Sequence, residues 1–286
     1  MIASKRPIST ADVADHYDEL DGFYRDIWGE HVHHGLWASG QESPEQAVRK
    51  LVEVVAEQAG LKPGARVLDI GCGYGAAARL FANIHGAKVT AITLSSAQYR
   101  YAKELEPGSN PTYLLGDWFS TEISPERFDA AVAIESFEHM ADKLGFFQRA
   151  FDLLVPTGRL VVCAWLARDD ISRWQSRCLL EPICREGRIP HLLSAPELIA
   201  QAEAVGFTAD RWQDLTEQVS RTWSTIIGRL FRRLLSNEQY RSFLLDCSRR
   251  NRVYALTIAR VWLAYLTGGL RYGIFKFHKS DLSRRS

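Results

Sequence analysis

The chain has 286 residues, 46% hydrophobic and 24% charged, with a formal net charge of +1; this is an ordinary globular composition, which excludes a disordered or fibrous chain and suits one α/β domain with an elaboration. Its five cysteines (Cys72, Cys163, Cys178, Cys184, Cys247) are odd in number and form no C-x-x-C or Cys/His pairing, so neither a disulfide framework nor a zinc site is suggested. The charge is uneven: from Arg211 onward there are 15 Lys/Arg against 5 Asp/Glu, net +10, leaving net −9 upstream.

The opening M-I-A-S-K-R-P-I-S-T has no long apolar core, so no signal peptide is expected, and the cysteine usage points to a reducing cytoplasm. Thr10 to Trp28 carries apolar residues at helical spacing (Val13, Tyr17, Leu20, Phe23 or Tyr24, Ile27) and predicts one helix over the mouth of the site. His31, His33 and His34 follow in H-V-H-H. An H-x-H-H run places its rings on opposite sides of an extended chain and has no acidic or cysteine company, so no metal is expected. Ser43-Pro44-Glu45-Gln46 is a capping box with proline at the first helical position, opening a helix through Gln58.

Val67 to Gly75 (V-L-D-I-G-C-G-Y-G) is the stretch the rest of the chain serves. Val67, Leu68 and Ile70 signal a buried strand, and Gly71, Gly73 and Gly75 then alternate before an apolar helical run, Tyr74 to His85. Alternating glycines let a chain turn sharply at a strand end and approach a ligand closely. Gly71, Gly73 and Ala76 also satisfy the dinucleotide pattern G-x-G-x-x-G/A, but the position where that pattern wants an acid is Thr93.

Lys88 to Thr93 predicts the second strand, running into T-L-S-S-A-Q (Thr93 to Gln98), where Ser95 and Gln98 read as a capping box. Thr112 to Leu115 predicts a third, ending in G-D-W-F (Gly116 to Phe119), where the plainer role for Asp117 is to turn the chain. Phe128 to Ile134 is continuously apolar, as a strand buried on both faces should be. It leads into E-S-F-E-H-M (Glu135 to Met140), whose carboxylates and imidazole fall just past a central strand, where open α/β sheets bind ligands. The plainer role for Glu138 and His139 is to cap the helix Asp142 to Leu154.

Gly158 to Trp165 predicts a fifth strand, Arg168 to Arg188 a helical and then irregular stretch, and Ser194 and Glu197 cap a helix over Pro196 to Ala204. Phe207 to Trp212 is the sixth strand, Glu217 to Leu266 several helices, and Arg271 to His278 the closing seventh. Val253 to Leu266 is the longest apolar run, about two-thirds of a membrane span, and contains Arg260. Helical spacing places Ile227, Leu230, Phe231 and Leu234 on one stripe, with Arg229, Arg232 and Arg233 turned to water or a membrane surface.

The three glycines with Asp69 two residues before the first resemble the signature of class I S-adenosylmethionine-dependent methyltransferases. T-L-S-x-x-Q is similar to the same segment of the cyclopropane-fatty-acid-synthase-like group. Together with E-x-x-E-H-M, H-Y-D (His16 to Asp18), W-G-E-H-V-H-H-G (Trp28 to Gly35) and A-D-K (Ala141 to Lys143), it makes the tocopherol methyltransferase-like group the nearest match, over residues 12 to 165. Cyclopropane synthases bring a cysteine from the N-terminal segment. Here none precedes Cys72, which argues against cyclopropanation.

The resemblance implies a Rossmann-like α/β fold with a seven-stranded, mostly parallel sheet, helices on both faces and a helical lid. It implies a single domain over 1–286: cap helices in 10–60, core in 61–216, lid in 217–270 and a closing strand at 271–278. The implied cofactor is S-adenosyl-L-methionine, held by Tyr17, Asp69, Gly71, Cys72, Gly73, Thr93, Leu94, Gln98 and Glu135, with Asp117 and Trp118 on the adenine. Glu138 and His139 are the expected catalytic pair, and His34, Phe231 and Trp262 the expected acceptor contacts. The expected partner is a lipophilic small molecule such as a prenylated phenol, with a small amine as the alternative substrate and a non-catalytic binding protein as the rival. No nucleic-acid motif accompanies the basic C-terminal quarter, which suits contact with an anionic membrane surface. Oligomeric state is not legible.

Overall fold

The structure is a computed structural model describing residues 1–123, 127–247 and 250–280. In chain order its strands are β1 (Ile2–Ala3), β2 (Arg66–Ile70), β3 (Lys88–Thr93), β4 (Thr112–Leu115), β5 (Phe128–Ile134), β6 (Leu154–Ala167), β7 (His191–Leu192), β8 (Phe207–Asp214) and β9 (Leu270–Lys279). Seven of them form one sheet in the order β4-β3-β2-β5-β6-β9-β8. All neighbours are parallel except β9, which is antiparallel to both β6 and β8. β1 and β7 pair separately, and at two residues each they are too short to show any periodicity.

The period of two along each central strand builds a core on either face of the sheet. Val67, Val89, Ala91, Ala130, Val132 and Val161 pack on one side. Their alternates Leu68, Ile70, Ile92, Ala131, Ala133, Leu160 and Val162 pack on the other. Helices Pro44–Ala59 and Ala76–Asn83 cover the first face, and Lys143–Leu153 and Ala195–Val205 the second. The predicted capping box is formed: Ser43 Oγ accepts from the Gln46 amide at 3.2 Å and Gln46 Oε1 from the Ser43 amide at 2.8 Å.

The predicted helix Thr10 to Trp28 is in fact two, Thr10–Glu19 and Asp21–Ile27. Leu20 leaves helical geometry (φ −94°, ψ 7°) to sit fully buried in the core. The second piece is held by Tyr74, whose hydroxyl donates to Asp21 Oδ1 at 2.8 Å. The lid consists of helices Thr216–Ser236, Glu238–Leu245 and Tyr254–Leu266. Its start is anchored on β9, where Leu215 N donates to Tyr272 O (2.9 Å) and Tyr272 N to Thr216 Oγ1 (3.0 Å), and its end runs through 267–269 directly into that strand. No described helix is long and apolar enough to cross a membrane.

Candidate active site

The strand order reverses between β2 and β5, and a crevice opens beyond their carboxyl ends, as it does in open α/β sheets. Gly71 follows β2 and Glu135 follows β5. Ser136 Oγ donates to the Ile70 carbonyl and closes the seam between the strands. A Cβ on Gly71 (φ +80°) would lie 2.2 Å from Ser136 Cβ, so that glycine is needed for packing. Gly73 (φ +56°) faces open space, its nearest neighbour in that direction being Gln98 Nε2 at 3.9 Å.

This space is a cavity of about 250 Å³ lined by Tyr17, Gly71, Gly73, Thr93, Leu94, Gln98, Asp117, Trp118, Glu135 and His139, with Ile8, Thr10 and Val13 from the N-terminal segment. Ten residues expected at the site from sequence therefore share one wall. Thr93 Oγ1 donates to Gln98 Oε1 at 2.9 Å, which orients the Gln98 amide with its NH₂ toward the glycine loop. Only half of the Ser95/Gln98 capping box forms, because the Gln98 side chain is engaged by Thr93 and not by Ser95. Asp18 takes its place, accepting from Ser95 Oγ (2.5 Å), Ser96 Oγ (2.8 Å) and Ala97 N (3.1 Å), and so clamps the N-terminal helix over the cavity. The Trp118 indole nitrogen is buried without a partner, and Asp117 Oδ1 accepts from Phe119 N at 3.1 Å. The unpartnered indole nitrogen, the carboxylate beside it and the open face of Gly73 fit a nucleoside-bearing cofactor with a polar tail.

Asp69 and Cys72 lie behind this wall and do not line it. Asp69 is 2% exposed with Oδ2 unpartnered, and burial pushes its carboxyl up to about 7. Burial likewise pushes the Cys72 thiol well up.

Glu135 is the hinge of the site. It is a non-glycine residue at φ +53°, a conformation maintained only where surrounding contacts over-determine it. Its Oε1 accepts from His34 N (2.6 Å) and Tyr272 OH (2.9 Å), and its Oε2 from Trp165 Nε1 (2.9 Å). The His34 ring adds Nδ1 at 3.0 Å from both oxygens. Burial pushes this carboxyl up, but its electrostatic attraction to the His34 ring N–H and the hydrogen bonds from His34 outweigh it and hold the group down to about 2. On the far side of the imidazole, Trp223 Nε1 donates to His34 Nε2 at 2.8 Å. An indole N–H can only donate, so Nε2 carries no proton and Nδ1–H points at Glu135.

A second, smaller cavity of about 90 Å³ adjoins the first and shares Tyr17, Val32, Glu135 and His139 with it. Its walls are Tyr24, Trp28, Trp165, Ile183, Ile189, Trp223, Ile258 and Val261, with Glu138, Glu186, Asn251 and His16 as polar points. Glu138 is 3% exposed, with Oε1 accepting from Trp165 N at 2.5 Å and Oε2 unpartnered. Burial, reinforced by the charge of Glu135, pushes its carboxyl up. His139 Nδ1 lies 3.0 Å from the Arg188 carbonyl, which can only accept, so Nδ1 holds the proton. Nε2 is then the lone-pair nitrogen and takes the Tyr17 hydroxyl at 2.9 Å. Burial lowers this imidazole to about 4, so it is neutral at physiological pH. Asp142, accepting from Gly145 N at 2.8 Å, caps the following helix, and Glu138 and His139 are left free of that duty.

The three expected acceptor contacts are placed elsewhere. His34 is fully buried, with both ring nitrogens spent on Glu135, Trp223 and Tyr265. Phe231 is 60% and Trp262 40% exposed, and neither lines a cavity. The inward stripe of helix Thr216–Ser236 is Val219, Trp223, Ile226 and Leu230, so Phe231 is rotated out by one residue. Helix Tyr254–Leu266 turns Ile258 and Val261 inward in place of Trp262. Sequence reasoning missed Tyr24, Trp28, Trp165 and Trp223. Trp165 was within reach, since it lies near the carboxyl end of β6, beside β5.

A family model described as mycolic acid cyclopropane synthetase matches residues 4–282. A probable chloroplastic tocopherol O-methyltransferase of Oryza sativa subsp. japonica is 30% identical over 234 residues, 75% of this chain but only 64% of that protein, so under two-thirds of its length is spanned. A 2-methyl-6-phytyl-1,4-hydroquinone methyltransferase of Synechocystis sp. is 28% identical over 284 residues, 94% of this chain and 87% of the relative. The solved cyclopropane synthase MmaA2 of Mycobacterium tuberculosis superposes with a TM-score of 0.82 at 23% identity, covering 96% of this chain and 100% of that one, a likeness of fold.

Proposed function

The chain belongs to the mycolic acid cyclopropane synthetase family, within the class I S-adenosylmethionine-dependent methyltransferases, and we propose that it methylates a lipophilic small molecule, in first place a prenylated phenol at carbon. The observation that carries this is the second cavity: an aromatic and aliphatic chamber that meets the cofactor cavity at Tyr17, Glu135 and His139. The tocopherol and phytyl-hydroquinone names of the relatives support the same acceptor class. Contact with a membrane periphery through the basic C-terminal quarter is part of this reading.

Gly71, Gly73, Thr93, Leu94, Gln98, Asp117 and Trp118 would hold S-adenosylmethionine, with Asp69 beneath the loop. When bound, it supplies an electrophilic methyl carbon on a sulfonium. The chain's own tasks are to align the acceptor, exclude water and receive a proton. Helices Thr10–Glu19 and Asp21–Ile27 and the lid close the chamber. The acceptor hydroxyl gives its proton to the Tyr17 oxygen as the Tyr17 proton passes to His139 Nε2, which is unprotonated because Arg188 O fixes the proton on Nδ1. Glu138, its carboxyl pushed up by burial, offers a neutral O–H to the acceptor's other polar end.

A small amine is the second reading, favoured by one observation: the ionised Glu135 among Tyr17, Trp28, Trp165 and Trp223 suits a cation. Assay of matched prenylated and unprenylated hydroquinones with S-adenosylmethionine, read by product mass, separates the two. Ile258→Ala should raise KM for the prenylated acceptor more than for the truncated one. Efficient methylation of a small amine, with no preference for added apolar carbons, would overturn the phenol reading and promote the amine.

A further inference from the structure

Helix Tyr254–Leu266 is apolar on both sides. Its inner arc, Ile258, Val261, Ala264 and Tyr265, is buried, and two of these residues wall the acceptor chamber. On the outer arc Leu256, Trp262, Leu263 and Leu266 are 50, 40, 39 and 64% exposed. At about 100° per residue these four fall on a continuous arc roughly 120° wide. Its one charged residue, Arg260, is drawn aside to the Glu186 carboxylate. A helix on a water-facing surface ordinarily gives that arc to polar residues.

Helix Thr216–Ser236 runs antiparallel beside it, since the start of one and the end of the other are both fixed at the Leu270–Tyr272 end of β9. One flank of this helix is tied down, through Arg229 to the Ile27 carbonyl (2.9 Å) and Glu45 (2.8 Å) and through Arg233 to Asp26 (3.6 Å). Its opposite flank extends the exposed apolar surface with Phe231 and Leu235. Arg232 and Arg241 nearby donate to the backbone carbonyls of Gly228 (3.3 Å) and Leu234 (2.8 Å), so among the described residues no carboxylate offsets their charge.

We propose that these two lid helices dock on a bilayer carrying anionic headgroups, the outer leucines and Trp262 entering the acyl boundary and Arg232 and Arg241 meeting phosphates. The inference rests on the lipophilic-acceptor reading and deepens it. The inner faces of the docked helices wall the chamber, so docking sets the chamber directly beside the lipid that dissolves the acceptor. A bilayer fits this surface better than a second copy of the chain, because a twofold contact would set the same unneutralised arginines against themselves. Apolar area with flanking cations is the combination that holds a helix in a lipid interface.

The test is sedimentation of the full chain with vesicles of phosphatidylcholine alone and of phosphatidylcholine with phosphatidylglycerol. Binding should require phosphatidylglycerol and weaken with salt. Leu263→Glu with Leu266→Glu should lower it about tenfold or more, as should Arg232→Glu with Arg241→Glu, while turnover of a detergent-dispersed acceptor changes less than about twofold. Equal binding to both vesicles, no binding, unaltered binding by both double variants, or a dimer in solution that the leucine variant dissociates would each overturn the proposal. Vesicle binding is read without acceptor or cofactor, so it fails separately from the phenol reading.

Discussion

The hydroxyl of Tyr17 lies 2.9 Å from Nε2 of His139, 122 residues further along the chain, at the point where the two cavities meet. The pair spans the gap between a helix that covers the site and a turn that follows the central strand. With the imidazole as the proposed proton acceptor, His139→Ala should lower kcat about 10²-fold or more with cofactor affinity nearly intact. Tyr17→Phe should cost nearly as much. The pH profile provides the sign: with His139 lowered to about 4, activity should hold from neutrality down and fall only as pH drops toward that value. A limb near the ordinary histidine value would contradict the assignment.

Gly71 and Gly73 should respond differently to substitution. Gly73→Val adds bulk into open space that a ligand would occupy, at a positive φ. It should abolish S-adenosylmethionine binding in calorimetry while the protein remains folded. Gly71→Ala meets Ser136 at 2.2 Å and should lower stability by about 1–3 kcal/mol in chemical unfolding.

The two glutamates of E-S-F-E-H-M should separate in stability. Glu135 has its carboxyl lowered to about 2, so its ionised form contributes stability above the ordinary value of 4.5 that is lost as pH falls toward 2. Glu135→Gln should therefore destabilise at neutral pH by about 3–5 kcal/mol, the cost of breaking a buried charged network, with the difference shrinking in acid. Glu138 is raised, so its ionised form opposes folding above 4.5. Glu138→Gln should leave thermal stability unchanged or higher at pH 8 while reducing turnover. Equal destabilisation by both variants would refute the distinction.

Acid should unfold the protein partly through its buried histidines. Burial lowers His16 and His31 to about 3 and His139 to about 4, all from 6.5. Between those values and 6.5 the unfolded chain binds more protons, so stability should fall as pH drops below 6.5. His16 contributes because it is buried; the hydrogen bond with Asn251, 3.0 Å from its ring, acts the other way and is outweighed. Denaturant unfolding of His16→Asn across pH 4 to 7 should show a shallower decline than the parent, and an equal slope would exclude His16 as a contributor.

The sequence by itself determined the sheet and the position of the site on it. Alternation between the two cores is written into Val67-Leu68, Ala130-Ala131 and Val161-Val162, and the glycines and E-S-F-E-H-M fall at strand ends whatever else the chain does. These are local signals, set by backbone sterics and by a period of two. Only tertiary structure decided which side chains face the second cavity. Helix Thr216–Ser236 carries apolar residues on two adjoining arcs, and its packing against the N-terminal helices, through Arg229 to Ile27 and Arg233 to Asp26, selects Trp223 and Leu230 for the inside and leaves Phe231 outside. His34 likewise had two possible faces on an extended segment. The carboxylate of Glu135, 101 residues away, and the indole of Trp223, 189 residues away, turn it into the core. Such choices depend on partners distant in sequence, because a side chain's rotation about its own element is fixed by what it packs against and not by the spacing of its neighbours.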